Sequence, residues 1–246
     1  MAIGSFCLFL VAGVYSNCLQ LSAVGIAVIL AALIHSSQHP NRYRKLVGSV
    51  FMVVLTLLLF IHRVPGFNNV KVWDAIQLSS NSAPFTLFLN FDKPLFAVLF
   101  LLFFGKRLTL KSTWPRYVAG VSRSLLPLIC ILVTAGVATR FITFDPKFTT
   151  NYILWAVNNL LVVCVGEEVF FRGYIQSMLC TLFSRWTHGE WAGLILASLF
   201  FGTAHFAGGL GYVALASLAG FFYGLAYKYT GTIEAPVLVH FLLNSI

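Results

Sequence analysis

The chain has 246 residues, 59% hydrophobic and only 9% charged, with a mean hydropathy of +0.88. A soluble domain carries about 25% charged residues, so this composition excludes an ordinary soluble enzyme, a disordered tail and a nucleic-acid-binding module. A net charge of +9 would suggest nucleic acid in a soluble protein, but here the basic residues cluster in short loops between apolar runs, which is the signature of membrane topology. The sequence reads as an all-α, polytopic integral membrane bundle of about eight transmembrane helices. Its five cysteines (Cys7, Cys18, Cys130, Cys164, Cys180) lie in apolar runs with no CxxC or zinc-type spacing, and are expected to be small buried hydrophobes. The first ten residues, MAIGSFCLFL, lack the basic region of a cleaved signal peptide.

A spanning helix needs about 20 apolar residues. The uncharged stretch 3–34 is too long for one span, and Ser16, Asn17 and Gln20 predict a break that leaves helices near 3–16 and 20–36. A basic loop at 39–45 precedes a third helix near 46–62. The connection 63–84, with Pro65, Gly66 and a Ser/Asn-rich end, is expected at the membrane interface. A fourth helix is expected over 85–104, interrupted by Asp92, Lys93 and Pro94. After a strongly basic loop at 106–116, a fifth helix runs near 118–139 and a loop follows at 140–150. The last hundred residues predict helical segments near 151–183, 190–206, 210–229 and 232–246. The first of these is too long for a simple crossing and is expected to tilt, to kink near Gly173, or to end along the interface. The loops at 39–45 and 106–116 hold seven of the sixteen Lys and Arg, so both are expected on the cytoplasmic side, with 63–84 and 140–150 outside.

Ionisable groups inside apolar runs are costly, about 2.5–3.5 kcal/mol each on insertion scales, and mark function. Two of the seven acidic residues, Glu167 and Glu168, follow the run Leu160-Leu161-Val162-Val163-Cys164-Val165-Gly166. On a helix, Glu168 and Arg172 are four apart and can pair, whereas Glu167 points about 100° away and is available as a proton acceptor. Glu168–Arg172 alone reads equally well as a structural salt bridge. His205 ends the apolar segment Phe200-Phe201-Gly202-Thr203-Ala204; a lone histidine there is more often a core residue than a catalyst. His240 and Asn244 share one helix face and can hydrogen-bond either a neighbouring helix or a developing negative charge. Together, two carboxylates, an Arg, two His and an Asn fall on three of the last four segments. His35, His39, His62 and His188 fall near helix ends or in loops and call for no special role.

At these residues the sequence resembles the CAAX prenyl endopeptidase and bacteriocin-processing family of intramembrane proteases. The family pattern is Glu-Glu-x-x-x-Arg, then Phe-x-x-x-His, then His-x-x-x-Asn. Here it reads Glu167-Glu168-x-x-x-Arg172, Phe201-x-x-x-His205 and His240-x-x-x-Asn244. The Arg172-Gly173 step also matches. The resemblance covers residues 151–246, and it divides one integrated membrane domain into N-terminal helices over 1–150 and a catalytic core over 151–246. It implies an endopeptidase acting near the membrane, with Glu167 as general base and His205 helping to position and activate water. His240 and Asn244 would form the oxyanion site, and Glu168 with Arg172 would brace it. The expected partners are membrane lipids and a peptide or protein substrate, such as a C-terminal sorting tail or a prenylated tail, with no nucleic acid. The expected location is the bacterial inner membrane. The segment Asn90-Phe91-Asp92-Lys93-Pro94 looks like one in bacterial members associated with sorting tails; Asp92 and Lys93 equally read as an interfacial pair at a helix start.

One Glu and two His would suffice to ligate zinc with a water position left open, but HExxH is absent and a glutamate-driven attack by water needs no metal. The expectation is therefore no metal and no cofactor. Two other readings stay open. A proton-coupled carrier also keeps buried Glu, Arg and His, although no inverted repeat is visible. A noncatalytic scaffold would retain the fold alone. A geometric difficulty remains as well: if helix 151–183 begins outside, Glu167 lies about 24 Å along it, and His205, ending a helix that returns outward, is expected at a different depth.

Overall fold

The structure, a computed structural model, describes residues 10–79, 82–105, 113–139, 145 and 152–246. Most of the basic loop 106–116, most of the 140–150 connection and the start of the 3–16 helix lie outside the described residues, as does Cys7. Eight helices of ten residues or more lie among the described residues. They are α1 (Leu21–Ser36), α2 (Arg42–Phe60), α3 (Leu95–Phe104), α4 (Trp114–Ala138), α5 (Tyr152–Leu182), α6 (Gly189–Thr203), α7 (Gly209–Thr230) and α8 (Glu234–Asn244). Four stretches are long and apolar enough to cross a membrane: α2, α4, α5, and Phe206–Thr230, which contains α7. Helices α1, α3 and α6 are apolar but shorter; the 16 residues of α1 rise about 24 Å against a hydrocarbon core of about 30 Å.

The chain is an integral membrane protein by the character of these helices. Their apolar side chains are not confined to a buried stripe. Val47, Val50, Phe51 and Val54 of α2, and Ile195, Leu196, Leu199 and Phe200 of α6, are exposed. A helix that is apolar all round belongs in lipid.

The chain divides into two compact units. The first comprises Met1–Gly105 and Lys147–Gly166. As expected, the first apolar stretch breaks where Ser16, Asn17 and Gln20 fall: residues 10–15 are helical and a turn follows, with Asn17 at φ 59°. In α1, Ala23, Ala27, Leu30 and Ile34 form one buried stripe, packed with α2 at helical spacing. Helix α2 starts earlier than expected because the Asn41 side chain accepts a hydrogen bond from Arg44 N (3.1 Å), an N-cap.

The expected helix over 85–104 is corrected. Its first part is a strand, β2 (Phe85–Leu89), antiparallel to β1 (Val70–Ile76) within the 63–84 connection. The pairing runs Val70↔Leu89, Lys71↔Phe88, Trp73↔Leu87 and Ile76↔Phe85, with irregular register between. Both segments are rich in β-branched or aromatic residues, which favour strands, and Trp73 meets Phe85 edge-on at 6.0 Å. The chain is thus mostly helical rather than all-α. Asp92, near the start of α3, is buried in the protein. It is 1% exposed and accepts from His62 Nδ1 (2.7 Å), Asn69 Nδ2 (3.2 and 3.3 Å) and Lys93 N (2.8 Å). His62, for which no special role was expected, sits at φ 56° and joins Asp92 and Asn69 in this polar knot.

The second unit comprises Lys106–Pro146 and Glu167–Ile246. Helix α4 places Pro115 in its first turn, where a missing N–H costs nothing. Helix α7 ends at Gly231, in the left-handed region at φ 69°, with Gly231 N donating to Tyr227 O, a C-terminal cap that favours glycine. Helices α6 and α7 pack closely through Gly202. A Cβ there would lie 1.8 Å from Ser217 Oγ and 2.7 Å from the backbone oxygen of Val213. Gly202→Ala is expected to force the helices apart at a cost of about 1–3 kcal/mol, read as a lower thermal unfolding temperature of the detergent-solubilised protein. An unchanged temperature would show that the contact relaxes freely.

Among the described cysteines, Cys164 is buried as expected, Cys18 and Cys180 are half-buried and Cys130 is exposed. In a membrane chain, an apolar run marks lipid-facing positions as readily as core.

Candidate active site

Helix α5 carries the two glutamates in a short α-helical turn, Val165–Glu168, set between π-helical stretches Asn159–Cys164 and Val169–Gln176. Wide turns of this kind occur frequently at functional sites. Gly173, near which a kink was one of the expectations, lies inside the second stretch. Ser177 Oγ donates to Arg172 O at 2.9 Å, five residues back, in keeping with the wider turn.

Glu168 and Arg172 are fully buried and paired, Arg172 Nη1 lying 3.2 Å from Oε1 and 3.1 Å from Oε2. The rest of the guanidinium is also accounted for. Nη2 donates to Gly220 O on α7 at 2.9 Å, and Cζ lies 4.5 Å from the Phe201 ring and 5.2 Å from that of Tyr223. One turn on, Gln176 Nε2 donates to Gly224 O at 3.2 Å. The small residues Gly220 and Gly224, four apart on α7, let α5 come this close.

His240 of α8 joins the same carboxylate. Its Nδ1 lies 2.8 Å from Glu168 Oε1, and since a carboxylate here only accepts, Nδ1 carries the proton. The ring is buried, stacked on Tyr223 (4.6 Å between centroids, 17° between planes) and edge-on to Phe201 at 5.8 Å. Nε2 is then the ring nitrogen that can meet another group.

Glu167 and His205 face one another, His205 Nε2 standing 3.9 Å from Glu167 Oε2. His205 Nδ1 lies 2.7 Å from Phe201 O and, as a carbonyl cannot donate, Nδ1 again carries the proton. In the neutral ring Nε2 therefore presents a lone pair toward Glu167. Glu167 is nearly buried, whereas the His205 side chain is 24% exposed and Tyr212 lies beside it, ring centroids 5.7 Å apart. The constellation thus has a deep side at Glu168 and Arg172 and an open side at His205.

The expected mismatch in depth is not found. Counted from the end of α5 at Leu182, Glu167 lies 15 residues in, about 22 Å; counted from the start of α6 at Gly189, His205 lies 16 residues in, about 24 Å. The two helices run antiparallel from a short turn, so equal counts give equal depth.

Five of the six expected residues, Glu167, Glu168, Arg172, His205 and His240, fall into two contacting groups, Glu167–His205 and Arg172–Glu168–His240, with Phe201 against Arg172 and both histidines. Asn244, the sixth, is the last residue of α8, one turn beyond His240 and exposed. Among the described residues, no three His, Cys, Asp or Glu side chains gather to hold a metal ion. The sequence reading did not single out Tyr223, the floor under His240, or the carbonyl of Gly220. The Gly220-x-x-x-Gly224 spacing was their available signal.

Residues 149–246 match the family model described as Type II CAAX prenyl endopeptidase Rce1-like. The match spans the whole constellation and about two-fifths of the chain. No curated protein and no solved structure matches the chain.

Proposed function

We propose that this protein is an intramembrane endopeptidase in which Glu167 and His205 activate the water that attacks a peptide bond. The observation that carries this reading is the 3.9 Å separation of Glu167 Oε2 and His205 Nε2. It is too long for a direct hydrogen bond, but a water at about 2.8 Å from both would subtend about 90°, close to its own bond angle. Such a water gives one proton toward each acceptor and turns a lone pair outward.

Its oxygen bonds to the substrate carbonyl carbon as a proton passes to Glu167. The C–N bond then breaks as that proton passes to the leaving nitrogen. His240 Nε2, which donates when its ring is protonated, and Asn244 Nδ2 stabilise the oxyanion. Glu168 and Arg172 hold His240 in place. Written this way, the reaction needs no metal or cofactor. The substrate is a peptide or the C-terminal tail of a protein, a sorting tail or a prenylated tail, held among membrane lipids. The family match supports the protease class. All eight described helices are read as entering the bilayer, in a bacterial inner membrane.

The test is purified protein in liposomes without an ion gradient, incubated with peptides representing C-terminal tails and analysed by mass spectrometry. Cleavage is expected, with a loss of about 10²–10⁴-fold for His205→Ala. Solute movement driven by a proton gradient, with no cleavage, would replace the protease with a carrier.

A further inference from the structure

The same unit holds a cleft that the proposed reaction does not use. This cleft, of about 900 Å³, opens where α4 begins and where α5 and α7 end. Its charged lining is Arg116, Arg123, Lys228 and Glu190, three cations and one carboxylate. The carboxylate is already engaged, since Lys228 Nζ pairs with Glu190 Oε2 and sits 5.3 Å from the Trp191 ring. Arg116 is oriented by its Nε donating to Tyr229 O at 3.2 Å. Arg123 lies seven residues further along α4, on the same face and about 10 Å along the axis. The nearby hydroxyls are committed to each other, Ser177 Oγ lying 3.2 Å from Tyr227 Oη, so the guanidinium groups carry recognition here. We propose that this cleft binds the phosphate of an anionic glycerophospholipid, gripped by Arg116 and Arg123.

Three considerations favour a lipid over another anion. First, exposed tryptophans mark this end of the unit as the membrane interface: Trp114 at the start of α4, Trp186 after α5 and Trp191 at the start of α6, the positions where aromatic belts sit. Phosphate lies at that depth, and Arg123, rooted about 10 Å further along α4, is placed to extend its guanidinium back toward it, as a snorkelling side chain does. Second, guanidinium matches a phosphate with paired, charge-assisted hydrogen bonds. Third, none of Glu167, Glu168, Arg172, His205 and His240 lines the cleft, although its wall at Gln176 and Ser177 stands about one turn of α5 from Arg172. The inference is independent of whether the protein cleaves peptides.

The experiment titrates the purified full chain in nonionic detergent with dihexanoyl phosphatidylglycerol, dihexanoylglycerol and sn-glycerol 3-phosphate, reading binding by native mass spectrometry. Wild type is expected to hold the phosphatidylglycerol, and Arg116→Gln/Arg123→Gln to bind it about tenfold more weakly, as loss of charge-assisted hydrogen bonds implies. Arg123→Gln alone, an exposed position, should show part of the loss and guards against a folding defect at Arg116. Glycerol phosphate binding as tightly as the lipid would make the occupant a free phosphate ester and overturn the lipid assignment. Equal binding of dihexanoylglycerol, or a double variant within twofold of wild type, would overturn the phosphate site itself.

Discussion

Glu167→Gln is expected to reduce cleavage by about 10²–10⁴-fold, the usual contribution of a general base, without loss of the folded protein. The amide keeps the size of the carboxylate and can still touch the same neighbours, but it cannot take a proton from water. Glu168 pairs directly with Arg172 and His240, and the Glu167 charge adds a weaker attraction for Arg172 than Glu168 does. The residue beside Glu167 should behave differently. Glu168→Gln removes the charge that Arg172 and His240 both face, so protein yield falls with activity. Two adjacent isosteric changes are thus predicted to separate chemistry from stability. The measurement is mass spectrometry of membrane-protein termini in cells carrying wild type or Glu167→Gln at matched abundance. Termini present only with wild type support the base and identify the substrate. Wild-type cleavage by Glu167→Gln would remove Glu167 from the mechanism.

The site was legible in the sequence because charge in an apolar run is rare and spacing on a helix is fixed. Glu168 and Arg172 pair as their four-residue separation requires, and Glu167 turns to a different partner. What spacing did not convey was depth. Taking α5 from its outer end separated Glu167 from His205, whereas counting both helices from the turn at 183–188 brings them level. The hairpin was illegible for another reason. Phe85-Thr86-Leu87-Phe88-Leu89 is an apolar run that suits a strand or a membrane helix equally, and what decides is pairing with Val70–Ile76 across an intervening loop. The knot of His62, Asn69 and Asp92 depends on the same non-local pairing, so His62 looked like an ordinary helix-end residue. Tyr223 was hidden because an aromatic residue in an apolar helix carries no sign of whether it meets lipid or a buried imidazole.

Arg172→Ala is expected to be the most destabilising single change in the unit. Arg172 is among the largest fully buried side chains, and it closes four contacts at once: the Glu168 carboxylate, the Gly220 carbonyl, and the faces of Phe201 and Tyr223. Removing it leaves the Glu168 carboxylate buried against the His240 imidazole without its cation, and stripping one partner from a buried pair costs about 3–5 kcal/mol. A space is left between the rings as well. Arg172→Lys restores charge but not the planar fork that reaches Glu168 and Gly220 together, so it should fall between wild type and Ala. Thermal unfolding in detergent gives the order, with size-exclusion profiles as a check on yield. If Arg172→Ala unfolds at the wild-type temperature yet fails to cleave, the arginine acts on the substrate rather than on the position of His240. If both fall together and Arg172→Lys recovers both in part, the brace is what keeps His240 stacked on Tyr223 and aimed at the reacting bond.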